Sequence, residues 1–215
     1  MARIRLNSSA RSADDRIAEQ NRCLFRRHGL AVINMIGSPG CGKTAILQRT
    51  ARQFDGRLGV IVGDIKTTLD ADRLSECGIA AVPIETGGSC HLVPSMVGDA
   101  LAALDLSALD ILVIENVGNL VCPAAVDLGE DLKVGVLSVP EGDEKVRKYP
   151  ALFLRTAAVL VNKVDLLPYC PFDPGRVRQD CLKLNPHMAV LEVSATTGQG
   201  FEAWLEFLAG LRRRR

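Results

Sequence analysis

Short apolar runs alternate with helix-period stretches along most of this chain. The runs are "AVINMIG" (Ala31–Gly37), "RLGVIVG" (Arg57–Gly63), "AAVPIE" (Ala80–Glu85), "DILVIEN" (Asp110–Asn116), "KVGVLSV" (Lys133–Val139), "AVLVNK" (Ala158–Lys163) and "AVLEVSA" (Ala189–Ala195). Most are continuous and rich in Val, Ile and Leu, the pattern of strands buried on both faces. Between them Thr44–Gln53, Leu92–Leu104 and Phe201–Leu211 carry helical spacing. In front, Asp14–His28 places Ile17, Cys23, Leu24 and Phe25 among charges, and Gly29 supplies a helix stop. Strands alternating with helices predict an α/β fold of three layers, with a mostly parallel sheet between helices. The expected organisation is a helical extension over residues 1–30 and one domain over residues 31–215.

Composition narrows the class. Hydrophobic residues make up 47% and charged residues 24% of 215, with a formal net charge of +1. No global basic field argues for nucleic acid or a membrane surface. The local basic run Arg212–Arg215 reads as a solvated helix end that suits the macrodipole. No apolar run reaches the length of a membrane span, and "MARIRLNSSARSADDR" lacks the apolar core of a secretion signal. The seven cysteines, an odd number, show no framework spacing. That favours a reducing, cytoplasmic setting in which thiols serve as core residues, metal ligands or redox groups.

"GSPGCGKT" (Gly37, Ser38, Pro39, Gly40, Cys41, Gly42, Lys43, Thr44) fits G-x-x-x-x-G-K-[ST] between a predicted strand and a predicted helix, which defines a P-loop. Its glycines let the backbone curl so that N–H groups, running on to Ala45, face phosphate oxygens. Lys43 would sit on the β and γ phosphates, and the Thr44 hydroxyl would bind Mg²⁺. Glu115 ends an apolar strand where a carboxylate can reach the same ion, and Asp64 ends the second strand. Asp70, in "KTTLDADRL", reads either as a further Mg²⁺-linked carboxylate or as a helix N-cap. "NKVD" brings Asn162, Lys163 and Asp165 to the end of a strand. A carboxylate there accepts from both N1–H and the exocyclic amine of guanine, a donor pair that adenine does not offer. "SAT" (Ser194, Ala195, Thr196) suits a loop whose backbone N–H meets the guanine oxygen. Together these motifs predict GTP as substrate, Mg²⁺ as cofactor and Lys43, Thr44, Asp64 and Glu115 as the hydrolytic set.

Cys90 and His91 stand side by side after a glycine pair, and nucleotide hydrolysis needs neither. Thiolate and imidazole suit Ni²⁺, Zn²⁺ or Cu⁺. The plain alternative makes Cys90 and Cys122 buried small residues and His91 a helix cap. Cys23, Cys77, Cys170 and Cys181 read as structural, and His28 and His187 as surface or helix-end residues.

"GSPGCGKT", "GDIKTTLDADR", "TGGSCHL", "ENVGNLVCPAAVDLGE", "VPEGDEKVRKYP", "NKVDLLPY" and "EVSATTGQGF" together resemble the HypB family, GTPases that help insert nickel into [NiFe]-hydrogenase. The resemblance runs from about Asn21 to Leu211. The related urease accessory GTPases share the phosphate and guanine motifs. They usually carry Cys-Pro-His where this chain has Cys90-His91, and they lack the cysteine of "NLVCP". The resemblance implies a Ni²⁺ or Zn²⁺ site of Cys90, His91 and Cys122 and a GTP-dependent homodimer with the metal near its interface. Other nickel-maturation proteins and a hydrogenase large subunit are the implied partners, with no nucleic acid or membrane. The Cys-rich N-terminal motif and His-rich tract of many members are absent from this sequence, and Cys41 stands where Ser or Ala is more usual. Two rival functions remain at this stage. A small-molecule kinase is disfavoured by "NKVD", and a metal buffer with a vestigial nucleotide site by intact Lys43, Thr44 and Glu115.

Overall fold

The computed structural model describes residues 8–65 and 68–212, with side chains described from residue 13 onward. Arg213, Arg214 and Arg215 of the basic run, and Lys66 and Thr67 of "KTTLDADRL", therefore lie outside the described residues. Seven strands form one sheet: β1 Ala31–Gly37, β2 Leu58–Asp64, β3 Ala80–Glu85, β4 Ile111–Glu115, β5 Leu132–Ser138, β6 Thr156–Asn162 and β7 Ala189–Glu192. Their order is β3-β2-β4-β1-β5-β6-β7, and every neighbouring pair is parallel. The helices are α1 Ser8–Arg27, α2 Lys43–Gln53, α3 Leu69–Ser75, α4 Pro94–Leu101, α5 Lys145–Lys148, α6 Pro150–Phe153, α7 Pro174–Leu184 and α8 Phe201–Arg212.

Alternation along β1 builds the three layers. Ala31, Ile33 and Met35 join a buried cluster with Ile46 and Leu47 of α2, Leu74 of α3 and Trp204 of α8. Val32 points the other way, into a cluster with Phe25 of α1 and Val97 of α4. Ile36, on that same face, packs with Val177 of α7. A strand with apolar side chains on both faces reads as an uninterrupted hydrophobic run, which is why the sequence pattern was continuous. All seven residues of β1 are buried. Trp204 Nε1 donates to Thr50 Oγ1 at 3.0 Å, which satisfies the indole inside the α2–α8 contact.

Several element ends differ from expectation: α1 begins at Ser8 rather than Asp14, β6 at Thr156 rather than Ala158, and β7 ends at Glu192 rather than Ala195. α4 starts at Pro94 rather than Leu92, because proline disfavours helical backbone in the residue before it and Val93 is extended at φ −115°, ψ 159°. Its last turns continue only as irregular bonds, from Ala103 N to Ala100 O at 3.1 Å and Leu104 N to Leu101 O at 3.2 Å. The cap of α3 is Thr68, so Asp70 is not an N-cap but lies in the first helical turn.

Candidate functional site

β1 sits between β4 and β5, so the connections leaving its two sides diverge and open a crevice at the carboxyl ends of the strands. A cleft of about 670 Å³ lies there, lined by the P-loop, Asp64, Asp70, Glu115 and Lys163 among others. Gly42 caps α2 with φ 96°, and a Cβ on it would come within 2.4 Å of Asn162 Nδ2. Only glycine meets both demands. Lys43 is buried, its ammonium 3.5 Å from Gly37 O at the base of the loop.

Thr44 Oγ1 donates to Glu115 Oε1 at 2.8 Å. Glu115 is buried, and its Oε2 has no hydrogen-bond partner in the protein. Burial pushes the Glu115 carboxyl up to about 7 against the opposing effects of Lys43 and the Thr44 bond, while Asp70 and Asp64 push it further up. A hydroxyl and an orphaned, buried carboxylate oxygen facing the cleft fit a hard cation with oxygen ligands, as Mg²⁺ requires. Asp64 closes β2 and lines the cleft. Asp70 lines it too but is paired with Arg73 at 3.0 Å.

The "NKVD" and "SAT" segments meet across the end of the sheet. Asn162 Nδ2 donates to Cys41 O at 2.9 Å, and Asn162 Oδ1 accepts from Ala195 N at 3.1 Å. One buried amide therefore joins the P-loop to the "SAT" loop. Lys163 takes a left-handed backbone (φ 63°) and donates to Gly40 O at 2.7 Å, which lays its stem along the cleft wall. Asp165 Oδ1 accepts from Ser194 Oγ at 2.5 Å, which orients the carboxylate at the end of β6. Arg49 escaped sequence reading. From α2 its Nε donates to Ala195 O at 2.6 Å, and its terminal nitrogen donates to Thr196 O at 2.7 Å.

Cys90, His91 and Cys122 converge, with one ligand atom from each within 4.8 Å of the others. Cys90 Sγ lies 3.5 Å from His91 Nδ1. Cys90 is exposed, whereas His91 and Cys122 are half-buried, so neither cysteine is a core residue. The cap of α4 is Val93, so His91 caps no helix. Cys122 is pulled below the ordinary thiol value by a hydrogen bond from Cys90 and by Asn119, and the same contact raises Cys90. Two thiols next to an imidazole suit a borderline or soft divalent metal.

The two limbs carrying these ligands are tied together by asparagines. Asn119 Nδ2 donates to Cys90 O at 3.2 Å. Asn116, adjoining Glu115, accepts from Leu92 N at 3.2 Å and from Val117 N at 3.0 Å. Its amide donates to Asn34 at 3.2 Å, and Asn34 donates to Glu130 at 3.2 Å. Glu130 in turn is paired with Lys133. The Cys90–His91 limb and the strand that bears Glu115 are thus neighbours through a single side chain.

A P-loop at the carboxyl end of β1, with a carboxylate on β4 and an "NKVD" strand end, defines a P-loop nucleotide-binding domain. The family model described as "CobW/HypB/UreG, nucleotide-binding domain" matches residues 31–192, and the chain belongs to that family. It is 46% identical over 214 residues to the hydrogenase maturation factor HypB of Rhizobium leguminosarum bv. viciae, covering 97% of this chain and 72% of the relative. It is 44% identical over 197 residues to the HypB of Escherichia coli (strain K12), covering 91% of this chain and 68% of that one. Among solved structures, HypB from Helicobacter pylori in complex with nickel superposes with a TM-score of 0.91 at 38% identity, covering 94% of this chain and 96% of that chain. HypB from Archaeoglobus fulgidus gives 0.87 at 37% identity, covering 94% and 99% respectively.

Proposed function

We propose that this chain is a GTP-hydrolysing metallochaperone that assists nickel insertion during maturation of a [NiFe]-hydrogenase. The observation that carries this reading is the convergence of Cys90, His91 and Cys122 within 4.8 Å, on a limb bonded through Asn116 to the strand of Glu115. Relatives named hydrogenase maturation factor, and a similar structure holding nickel, support it.

GTP lies with its phosphates on the P-loop amides and Lys43, and its base between Lys163 and Asp165. Thr44, Glu115 and Asp64 would hold Mg²⁺, with Asp70 as a further carboxylate beside them. Bound Mg²⁺ supplies charge neutralisation on the phosphate oxygens. Lys43 and the loop amides stabilise the charge that develops as water attacks the γ-phosphate. Gln48 and Arg73 line the cleft, but Arg73 is engaged by Asp70 and Gln48 Nε2 lies 3.4 Å from Arg73 O. Among the described residues neither of these side chains is free to orient the water, which supports a slow turnover that acts as a switch.

Nickel is cargo. Three ligands leave a fourth position for water or a second subunit, and an open position suits delivery rather than storage. Ile65, Leu69 and Val121 are exposed around the two sites, at 41%, 59% and 61%. Such apolar exposure supports a GTP-dependent homodimer closing over them. Other nickel-maturation proteins and a hydrogenase large subunit complete the pathway, in the cytoplasm. No described helix is long and apolar enough to cross a membrane.

The direct test is turnover of Mg·GTP and Mg·ATP by wild-type protein and Lys43→Ala. GTP hydrolysis well above ATP hydrolysis, abolished in a folded Lys43→Ala protein, is expected. Absence of GTP turnover in the wild type would favour a metal-binding protein without nucleotide chemistry.

A further inference from the structure

The ligands of the proposed metal site sit on two limbs. One runs from β3 through Cys90 and His91 into α4. The other runs from β4 through Cys122 to β5. Asn119 and Asn116 bridge these limbs close to the ligands. A third bridge comes from outside both. Asn21 of α1 is buried, 5% exposed, and its single side-chain amide nitrogen donates to Pro94 O at 2.9 Å and to Leu128 O at 3.2 Å. Pro94 opens α4 three residues after His91, and Leu128 lies six residues after Cys122. Both protons of one amide are thus spent on holding the two limbs at a fixed separation.

The rest of α1 is fitted to the same task. Arg22 donates from Nη2 to both carboxylate oxygens of Asp127, at 2.8 and 2.7 Å, on the Cys122 limb. Asp127 also accepts from Gly129 N at 2.9 Å, which shapes the turn beneath the helix. Gly129 has φ 94°, and a Cβ there would lie 2.6 Å from Ala18 O, so the limb approaches the helix backbone as closely as glycine allows. Phe25 of α1 joins Leu92, which adjoins His91, and Leu128 in one buried apolar cluster. Neither Asn21 nor Arg22 lines the nucleotide cleft.

We infer that Asn21 is a positioning residue of the metal site: through Pro94 and Leu128, α1 braces the Cys90–His91 limb against the Cys122 limb and sets how firmly the metal is held. This rests on the proposed metal function and adds to it a structural control point outside both ligand limbs. A uniform structural role would lower stability and impair both sites. A bracing role separates them, because the nucleotide contacts come from the P-loop, β4, β6 and the "SAT" loop.

The test compares wild type, Asn21→Ala and Arg22→Ala, each in the full chain. Ni²⁺ affinity, the rate of Ni²⁺ loss to excess EDTA, and kcat and KM for GTP are measured on protein whose fold is verified by thermal unfolding. Asn21→Ala is expected to lose Ni²⁺ about tenfold faster, at the low end of what removing an outer support of metal ligands produces. Its kcat and KM for GTP should stay within twofold of wild type. Arg22→Ala, at the helix edge, should show a smaller change of the same sign and keeps the inference testable if Asn21→Ala fails to fold. Wild-type Ni²⁺ retention in folded Asn21→Ala, or in Arg22→Ala where only that variant folds, overturns the inference alone. So does an equal loss of nickel binding and GTP turnover. Wild-type protein without Ni²⁺ binding overturns the metal reading together with it.

Discussion

Thr44 Oγ1 and Glu115 Oε1 are 2.8 Å apart, while the second oxygen of Glu115 is buried without a protein partner. A carboxylate placed this way is costly to ionise until a cation arrives. Burial lifts it to about 7 from an ordinary value of 4.5. The folded protein therefore keeps a proton that the unfolded chain has already lost between those two values. Its contribution to stability is fully present below pH 4.5 and is lost as pH rises through 7, by ~3 kcal/mol. Urea midpoints of nucleotide-free protein in EDTA should fall over that window. Glu115→Gln, which cannot ionise, should remove this component. A wild-type profile unchanged by Glu115→Gln would contradict the burial argument.

Asp165→Asn should weaken GTP binding by about 2–3 kcal/mol and erode the preference for guanine over adenine. The amide turns one acceptor into a donor, facing either the base or the hydroxyl of Ser194. Competition of GTP, ITP and ATP for the site reads this directly. Unchanged GTP preference in the variant would remove Asp165 from the base site.

Gly42→Ala should abolish nucleotide binding by a route unlike that of Lys43→Ala. The added methyl meets Asn162 at 2.4 Å in a backbone region that alanine avoids, so the bridge from Asn162 to Cys41 and Ala195 must give way. Isothermal titration with GDP should show no binding, with the sheet's far-ultraviolet dichroism kept. Wild-type GDP affinity would show that the loop yields easily.

Thiol chemistry should sort the cysteines. Burial pushes Cys41 up to about 11 and Cys181 up to about 12, so neither forms appreciable thiolate at neutral pH. Cys122, held below the ordinary value by Cys90 and Asn119, should alkylate ahead of both. Iodoacetamide labelling at pH 7 followed by peptide mass spectrometry should mark Cys122 ahead of Cys41 and Cys181, and Ni²⁺ or Zn²⁺ should protect it. Equal labelling with and without metal would count against Cys122 as a ligand.

Much of the fold was legible because doubly buried strands leave uninterrupted apolar runs, and β1 and β3 fall on the residues the pattern marks. The P-loop and "NKVD" were legible because backbone geometry around a phosphate and a base demands particular residues at fixed spacing. The ends of α4 and α3 were less so, since Pro94 and Thr68 shift a boundary by a few residues. What pattern could not reveal is polar contact between distant segments. Asn21 meets Leu128 across 107 positions, and Arg49 meets Ala195 across 146. Each is an ordinary helix residue until the chain is folded. The convergence of Cys122 on Cys90 and His91 likewise came from resemblance, because nothing in the spacing fixes how two limbs fold back on each other.

The most direct measurement is a Ni²⁺ titration of wild type, Cys90→Ala, His91→Ala, Cys122→Ala and the triple variant, each bound to GDP or to a non-hydrolysable GTP analogue. Thiolate-to-nickel absorption gives the ligand set, and sedimentation gives the mass. Wild type should bind through thiolate, with affinity that differs between the nucleotide states and falls as pH drops because binding releases protons. Nickel must then shift nucleotide affinity by the same factor. Each single variant should lose most of the affinity, and the three losses should be far from additive. Wild-type nickel binding in Cys122→Ala, or equal wild-type affinity in both nucleotide states, would contradict a nucleotide-controlled nickel site.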